Sequence, residues 1–184
     1  MPERTLHADN DFPLMCHRRM PTHAIERLTA RAERGADGWL RFRYTVCGAV
    51  DRIALPASAA TRQTDELWRH TCFEAFITAQ DGPAYVECNF SPSGAWATYR
   101  FARYRTRMTP LVPSEPPRIT LQTHAAGLIL EAELQLSDFS AGPIRIGLTA
   151  VIEDKAGDPS YWALHHPCTQ PDFHHRSGFT LRLA

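Results

Sequence analysis

Hydrophobic and polar residues alternate with a period of two along most of this chain. In "WLRFRYTV", Leu40, Phe42, Tyr44 and Val46 alternate with Arg41, Arg43 and Thr45. In "LILEAELQL", Leu128, Leu130, Ala132, Leu134 and Leu136 alternate with Ile129, Glu131, Glu133 and Gln135. "IRIGLTAVI" and the terminal "FTLRL" repeat the habit. A period of two belongs to strands with one buried and one polar face. It predicts strands over 39–46, 71–78, 85–90, 96–103, 128–136 and 144–152. Turn signals separate them: "GADG" (35–38), "QDGP" (80–83), "SPSG" (91–94), "HAAG" (124–127), "SAGP" (140–143) and "KAGDP" (155–159). "THAIERLTARAER" fits a helical stripe through Ile25, Leu28 and Ala32, or a strand. A strand is favoured, because "WLRFRYTV" follows at hairpin distance. The proline-rich stretch 109–117 reads as a loop inside a single domain spanning 1–184, and 1–20 as an irregular N-terminal segment. Short strands between regular turn signals indicate an all-β sandwich or barrel.

The stretch "LWRHTCFEAFI" (67–77) carries more chemistry than a buried strand needs. Three successive strands can be set in phase. One face takes Phe73, Ala75 and Ile77, then Val86, Cys88 and Phe90, then Ala97, Tyr99 and Phe101. The other takes Trp68, His70, Glu74, Glu87, Asn89, Trp96 and Arg100. Flat aromatics among hydrogen-bonding groups suit a sugar, whose C–H faces pack on indole rings while its hydroxyls meet Asn, Glu or Arg. A solvated sheet face with tryptophans at its edges would give the same pattern.

Composition narrows the classes. The 184 residues suffice for a real core. The formal net charge is zero, so bulk charge recruits neither nucleic acid nor an anionic membrane. Of 20 Lys plus Arg only Lys155 is lysine. Codon usage or a need for forked hydrogen bonding would each produce that bias. No run approaches the ~18 apolar residues of a membrane helix. The N-terminal sequence lacks the apolar run of a signal peptide, so a cytoplasmic location with reduced thiols is expected. The five cysteines show no CxxC spacing, and Cys72 and Cys88 fall at opposite parity, which argues against a bridge between them.

"LWRHTCFEAFI", "YVECNFSPSGAWATYRFARYR", "SYWALHHPCTQPDFHH" and "LEAELQLSDF…IRIGLTAVIEDKAGDPSYWAL" together resemble the DOMON-like domains related to family 9 carbohydrate-binding modules. The resemblance covers about residues 20–184. It implies an antiparallel two-sheet β-sandwich of about ten or eleven strands, and non-catalytic binding of a small sugar-like ligand. Trp68 matches the first sugar-stacking tryptophan and Trp162 is the candidate for the second. The candidate site is Trp68, Arg69, His70, Glu74, Glu87, Asn89, Trp96, Arg100, Trp162, His165, Asp172 and His174. The chain departs from sugar-binding relatives in showing no secretion signal and no attached hydrolase. An interaction module that has lost the ligand is therefore the alternative.

Other chemistry is less well supported. Some DOMON relatives hold haem b through Met and His, but Met15 and Met20 sit in a polar, proline-flanked segment, so no cofactor is expected. His165, His166, Cys168, Asp172, His174 and His175 could hold a metal by residue type, without matching a zinc spacing; a loop fixed by hydrogen bonds is the expectation. Glu74 and Glu87 could act as a glycosidase pair or as partners of arginine. No GxSxG, phosphate loop or HExxH is present, and the chain reads as a non-enzyme. Asn89, Ser91 and Ser93 fit side-chain caps of a tight turn.

Overall fold

A computed structural model describes residues 11–58, 60–79 and 82–184. It contains twelve strands: β1 (Phe12–Cys16), β2 (Ile25–Arg34), β3 (Leu40–Gly48), β4 (Cys72–Ala79), β5 (Tyr85–Phe90), β6 (Trp96–Phe101), β7 (Thr109–Pro110), β8 (Arg118–His124), β9 (Gly127–Leu134), β10 (Ile144–Glu153), β11 (Pro159–Ala163) and β12 (Leu181–Leu183). Every ladder between these strands is antiparallel. The six expected runs are strands, and 25–34 is a strand rather than a helix.

The strands form one hydrogen-bonded path, β7-β6-β5-β4-β10-β11-β1-β2-β3-β9-β8, with β12 beside β10. The all-β antiparallel architecture is as expected; the strands make one strongly curled sheet, and a division into the two sheets of a sandwich is not confirmed. The link is β1: Met15 and Cys16 pair with β11, while Phe12, Pro13 and Leu14 pair with β2. Residues 12–16 were expected to be irregular. Pro13 and the shortness of the run hid a strand whose Phe12 and Leu14 are buried. Residues 1–10 of that expected segment lie outside the described residues.

Curling lays β3 against β4 and β5 across the main core. The ring centroids of Tyr44 and Phe73 lie 5.1 Å apart, and those of Phe42 and Phe90 5.6 Å apart. The Tyr44 hydroxyl, wholly buried, donates to the Glu74 carbonyl at 2.6 Å. Strand β2 keeps both Ile25 and Leu28 inward because its register shifts between Ile25 and Arg27. A bulge of this kind resets the parity of a strand, which is why simple alternation from Ala24 misses Ile25.

The two halves of the sheet differ on their outer faces. On β3 and β9 that face is solvated and charged, with cross-strand pairs Arg43–Glu131 at 2.9 Å and Arg41–Glu133 at 3.2 Å. On β4 and β5 both faces are buried. Phe73, Ala75, Ile77, Val86, Cys88 and Phe90 enter the main core; Phe76 and Tyr85 belong to a second apolar cluster with Ala97, Tyr99, Phe101 and Phe179. The chain after β11 covers this outer face. Phe179 stacks on Phe76 with centroids 5.8 Å apart, and Gly147 makes room for it: a Cβ there would stand 2.8 Å from the Phe179 ring. The five cysteines are free, and Cys88 points into the main core, away from Cys72.

Tyr44→Phe removes the one side-chain hydrogen bond described here between β3 and β4 without opening a cavity. It should cost about 1 kcal/mol of stability, read as a lower urea midpoint at unchanged slope. An unchanged midpoint would show that the bond contributes nothing net.

Candidate functional site

The register of β4 on β5 decides which side chains share the outer face. Glu74 stands opposite Asn89, and Phe76 opposite Glu87. Residues at i and i+2 share a face, so Glu74, Phe76, Glu87 and Asn89 come together. Across β5, Glu87 stands opposite Tyr99 and Tyr85 opposite Phe101. Tyr99 and Phe101 therefore join this face, and Trp96 and Arg100 lie on the reverse one. The phase of the third strand differs from the expectation because the more apolar face of β6, with Ala97, Tyr99 and Phe101, packs into the outer cluster rather than the main core, so apolarity did not mark the core side. Arg100 instead pairs with Asp138 at 2.5 Å.

A cavity of 490 Å³ opens on this face. Its carboxylates are Glu74 and Glu87, its flat walls include Trp68, Phe101, Tyr161 and Phe173, and Arg105 and His174 stand at its edge. Trp68 does not sit on a strand. It lies in a short 3-10 turn, Leu67–Arg69, edge-on to Tyr99 at 5.9 Å. Glu66 before that turn and Arg105 both adopt left-handed backbone, with φ of 61° and 49°. Such conformations cost about 1–3 kcal/mol in a non-glycine residue and persist where the surroundings enforce them; here they bracket the cavity.

Glu74 is 2% exposed, and its Oε1 has no hydrogen-bond partner among the described residues. Burial, with the Glu87 charge in support, drives its carboxyl well above the usual range. Thr149, opposite Glu74 on β10, pulls weakly the other way, but its Oγ1 and Glu74 Oε1 do not reach a bond of sound geometry. Glu87 Oε1 accepts from Asn89 Nδ2 at 2.8 Å. Burial raises Glu87 to about 7, against the opposing pull of Asn89 and Arg105. Asn89 is therefore a prop for Glu87 beneath the cavity; Ser91 and Ser93 do cap the turn, with Ser93 N donating to Ser91 Oγ at 3.2 Å.

The loop after β11 closes one side. Asp172 accepts from the Tyr104 hydroxyl at 2.7 Å, from Arg105 Nη2 at 3.0 Å and from the His174 amide at 3.2 Å. Burial opposes its charge, but these donors outweigh it and hold the carboxyl below its ordinary value. Tyr85 Oη accepts from the Arg105 amide at 3.1 Å and meets His174 Nδ1 at 2.8 Å. Because Tyr85 Oη already accepts one proton, we assign its own proton to Nδ1. That leaves His174 protonated on Nε2, 3.7 Å from Glu87 Oε2. Burial first, then the Arg105 charge, lowers His174 to about 4, so the ring is neutral at neutral pH.

The remaining predicted residues lie elsewhere. Trp162 is buried in the main core with Nε1 donating to Ser160, and its neighbour Tyr161 faces the cavity instead. Arg69 pairs with Glu66 on the surface, and His70 with Glu153 at 2.8 Å. His165 is exposed beside a different cavity, with His17, His166 and Cys168. Among the described residues no three His, Cys, Asp or Glu side chains gather as a metal site requires. Sequence reasoning missed Phe76, Tyr85, Phe101, Arg105, Tyr161 and Phe173. For Phe76 and Tyr85 the signal was available, since they share parity with Glu74 and Glu87.

No protein-family model and no curated protein matches this chain. Solved structures share its fold. A "putative carbohydrate-binding protein" from Bacteroides uniformis ATCC 8492 superposes with a TM-score of 0.70 at 14% identity, over 94% of this chain and 84% of that one. A family 9 carbohydrate-binding module from Caldicellulosiruptor kristjanssonii, solved in complex with cellotriose, gives 0.53 at 11% identity, over 93% of this chain and 80% of that one.

The two raised carboxyls predict an unusual pH dependence. A group whose folded value exceeds its unfolded one stabilises the fold at low pH, and that stability is lost as pH rises through the folded value. For Glu87 the loss runs from the usual 4.5 to about 7, and Glu74, driven well above 4.5, contributes in the same direction. His174, lowered from 6.5 to about 4, works oppositely below 6.5. From pH 4.5 to about 7 the two carboxyls outweigh the one opposing histidine, and near pH 7 the histidine effect has faded. Stability should fall across this window by up to ~1.4 kcal/mol per pH unit for each group that stays protonated only in the fold. Glu74→Gln should flatten the decline in denaturant titrations; an equal slope in the variant would contradict the assignment.

Proposed function

We propose that the outer-face cavity binds a small carbohydrate without transforming it, in a protein of the DOMON-like and family 9 carbohydrate-binding group. The observation that carries this reading is the unpartnered Glu74 Oε1, buried at the base of a cavity walled by flat rings. A hydroxyl donated to that oxygen would supply the missing bond. Leaving a buried acceptor unsatisfied costs about 1–3 kcal/mol, so the site gains selectively from a ligand with donors. Trp68, Phe101 and Phe173 offer faces on which the C–H surface of a pyranose can pack. The cavity is of the size class of small-molecule sites. The fold shared with a module solved with cellotriose agrees with this reading.

Binding is favoured over hydrolysis by the electrostatics. A hydrolytic carboxyl pair needs one member held low as its ionised partner, whereas burial pushes both Glu74 and Glu87 upward. Haem ligation is disfavoured in the same cavity. Met108 and His174 both line it, but His174 commits Nδ1 to Tyr85 and turns Nε2 towards Glu87.

Trp68→Ala should weaken sugar binding by about tenfold or more, from loss of a ring contact on the order of 1 kcal/mol plus its buried area. The fold should survive, because Trp68 is only half-buried and lies outside the strands. Titration of parent and variant with a panel of mono- and disaccharides, followed by tryptophan fluorescence and melting temperature, checks both parts. A parent protein that responds to none of the panel would refute the reading.

A further inference from the structure

We propose that the ligand group seated against Glu74 and Glu87 is a protonated amine, so that the preferred ligand is an amino sugar rather than a neutral one. The inference rests on the carbohydrate reading above and names the ligand class more closely.

The charge inventory of the cavity is one-sided. Two carboxyl side chains line it, 2% and 5% exposed, and the only Lys or Arg among its lining residues is Arg105. That guanidinium lowers the Glu87 pKa only through space and is committed by contact to Asp172, at 3.0 Å. His174 is neutral, and its Nε2 stands 3.7 Å from Glu87, too far for a normal hydrogen bond. Neither carboxyl is thus neutralised by a protein cation in contact with it. Glu87 has an uncharged donor, Asn89, on one oxygen. Glu74 Oε1 has none.

The missing partner should therefore be a donor, and preferably a charged one. An ammonium offers three donors and no acceptor, whereas a hydroxyl brings acceptor lone pairs along with its single proton. Both carboxyls hold protons in the absence of a ligand, but a cation in contact favours their ionised form. An entering ammonium would displace a proton to solvent and meet carboxylate acceptors, for which its three donors are the better complement. A buried carboxylate is costly when unpaired, and a cation in contact relieves that cost. The cavity walls favour the same charge. Trp68, Phe76, Phe101, Tyr161 and Phe173 surround the carboxyls with aromatic rings, and their faces attract cations. Acidic groups and ring faces act together here, and both select against an anion.

Calorimetric titration at pH 6.5 with glucosamine, glucose and N-acetylglucosamine tests this on the intact protein. Glucosamine should bind at least tenfold more tightly than glucose. N-acetylglucosamine keeps the nitrogen but not the charge, and should show no such advantage. In Glu74→Gln the ratio of glucosamine to glucose affinity should fall towards one. Glucose bound as tightly as glucosamine by the parent protein would overturn this inference and leave the carbohydrate reading standing. An advantage shared by N-acetylglucosamine, or undiminished in Glu74→Gln, would also overturn it, since charge would not be its cause. Binding of none of the three would overturn both.

Discussion

Burial of both faces of β4 and β5 is the constraint on which the rest of this molecule depends. A sheet strand usually spends one face on the core and gives the other to water, as β3 and β9 do with their arginine–glutamate ladders. Here the curl of the sheet places β3 over one face, pinned where the Tyr44 hydroxyl meets the Glu74 carbonyl. The segment after β11 covers the other, seated on Gly147 and the Phe76 ring. With both faces shut, any polar side chain on these strands is cut off from solvent. Glu74, Glu87 and Asn89 are such side chains, and their chemistry follows from that enclosure.

Enclosure explains why the cavity is electrostatically unusual. A carboxyl on an open sheet face would titrate normally and pair with a nearby arginine. The same groups under the C-terminal loop keep their protons well above the usual range. The loop is in turn held by its own polar contacts. Asp172 gathers Tyr104, Arg105 and the His174 amide, and Tyr85 joins the Arg105 amide to the His174 ring. Left-handed backbone at Glu66 and Arg105 brings the flanking turns into place around the cavity. These contacts come from four separate stretches of the chain, so the site exists only once the curl and the closing loop are both formed.

The likeness to solved carbohydrate-binding proteins concerns the course of the backbone, at 14% identity or less. Within that shared architecture this chain places its own side chains. Trp162, the expected second stacking tryptophan, serves the core through the Ser160 hydrogen bond, and the aromatic that reaches the cavity from β11 is Tyr161. Parity explains the exchange: adjacent strand residues point to opposite faces, so a tryptophan one place along a strand from a cavity position becomes a core residue.

By itself the sequence determined most of the longer strands and the chemistry of one strand pair, while β1, β8, β11 and the short β7, inside a stretch expected to be a loop, went unread. A period of two reports the pleat directly, so the alternating runs and their turns could be read without tertiary information. Glu74 and Glu87 could be placed on a common face, because consecutive antiparallel strands joined by a short turn leave little freedom of phase. Legibility ended where alternation ended. Strand β6 turns its more apolar face to the outer cluster, so only its register against β5 could show that Tyr99 and Phe101, not Trp96 and Arg100, join the carboxyls. Strand β1 is short and carries a proline, and its pairing with β11 joins distant parts of the chain. Tertiary structure alone decided that β4 and β5 are closed on both sides, because the covering loop lies about a hundred residues away along the chain. No local pattern encodes which distant segment will exclude water from a given face, and here that exclusion turns two ordinary glutamates into a candidate site.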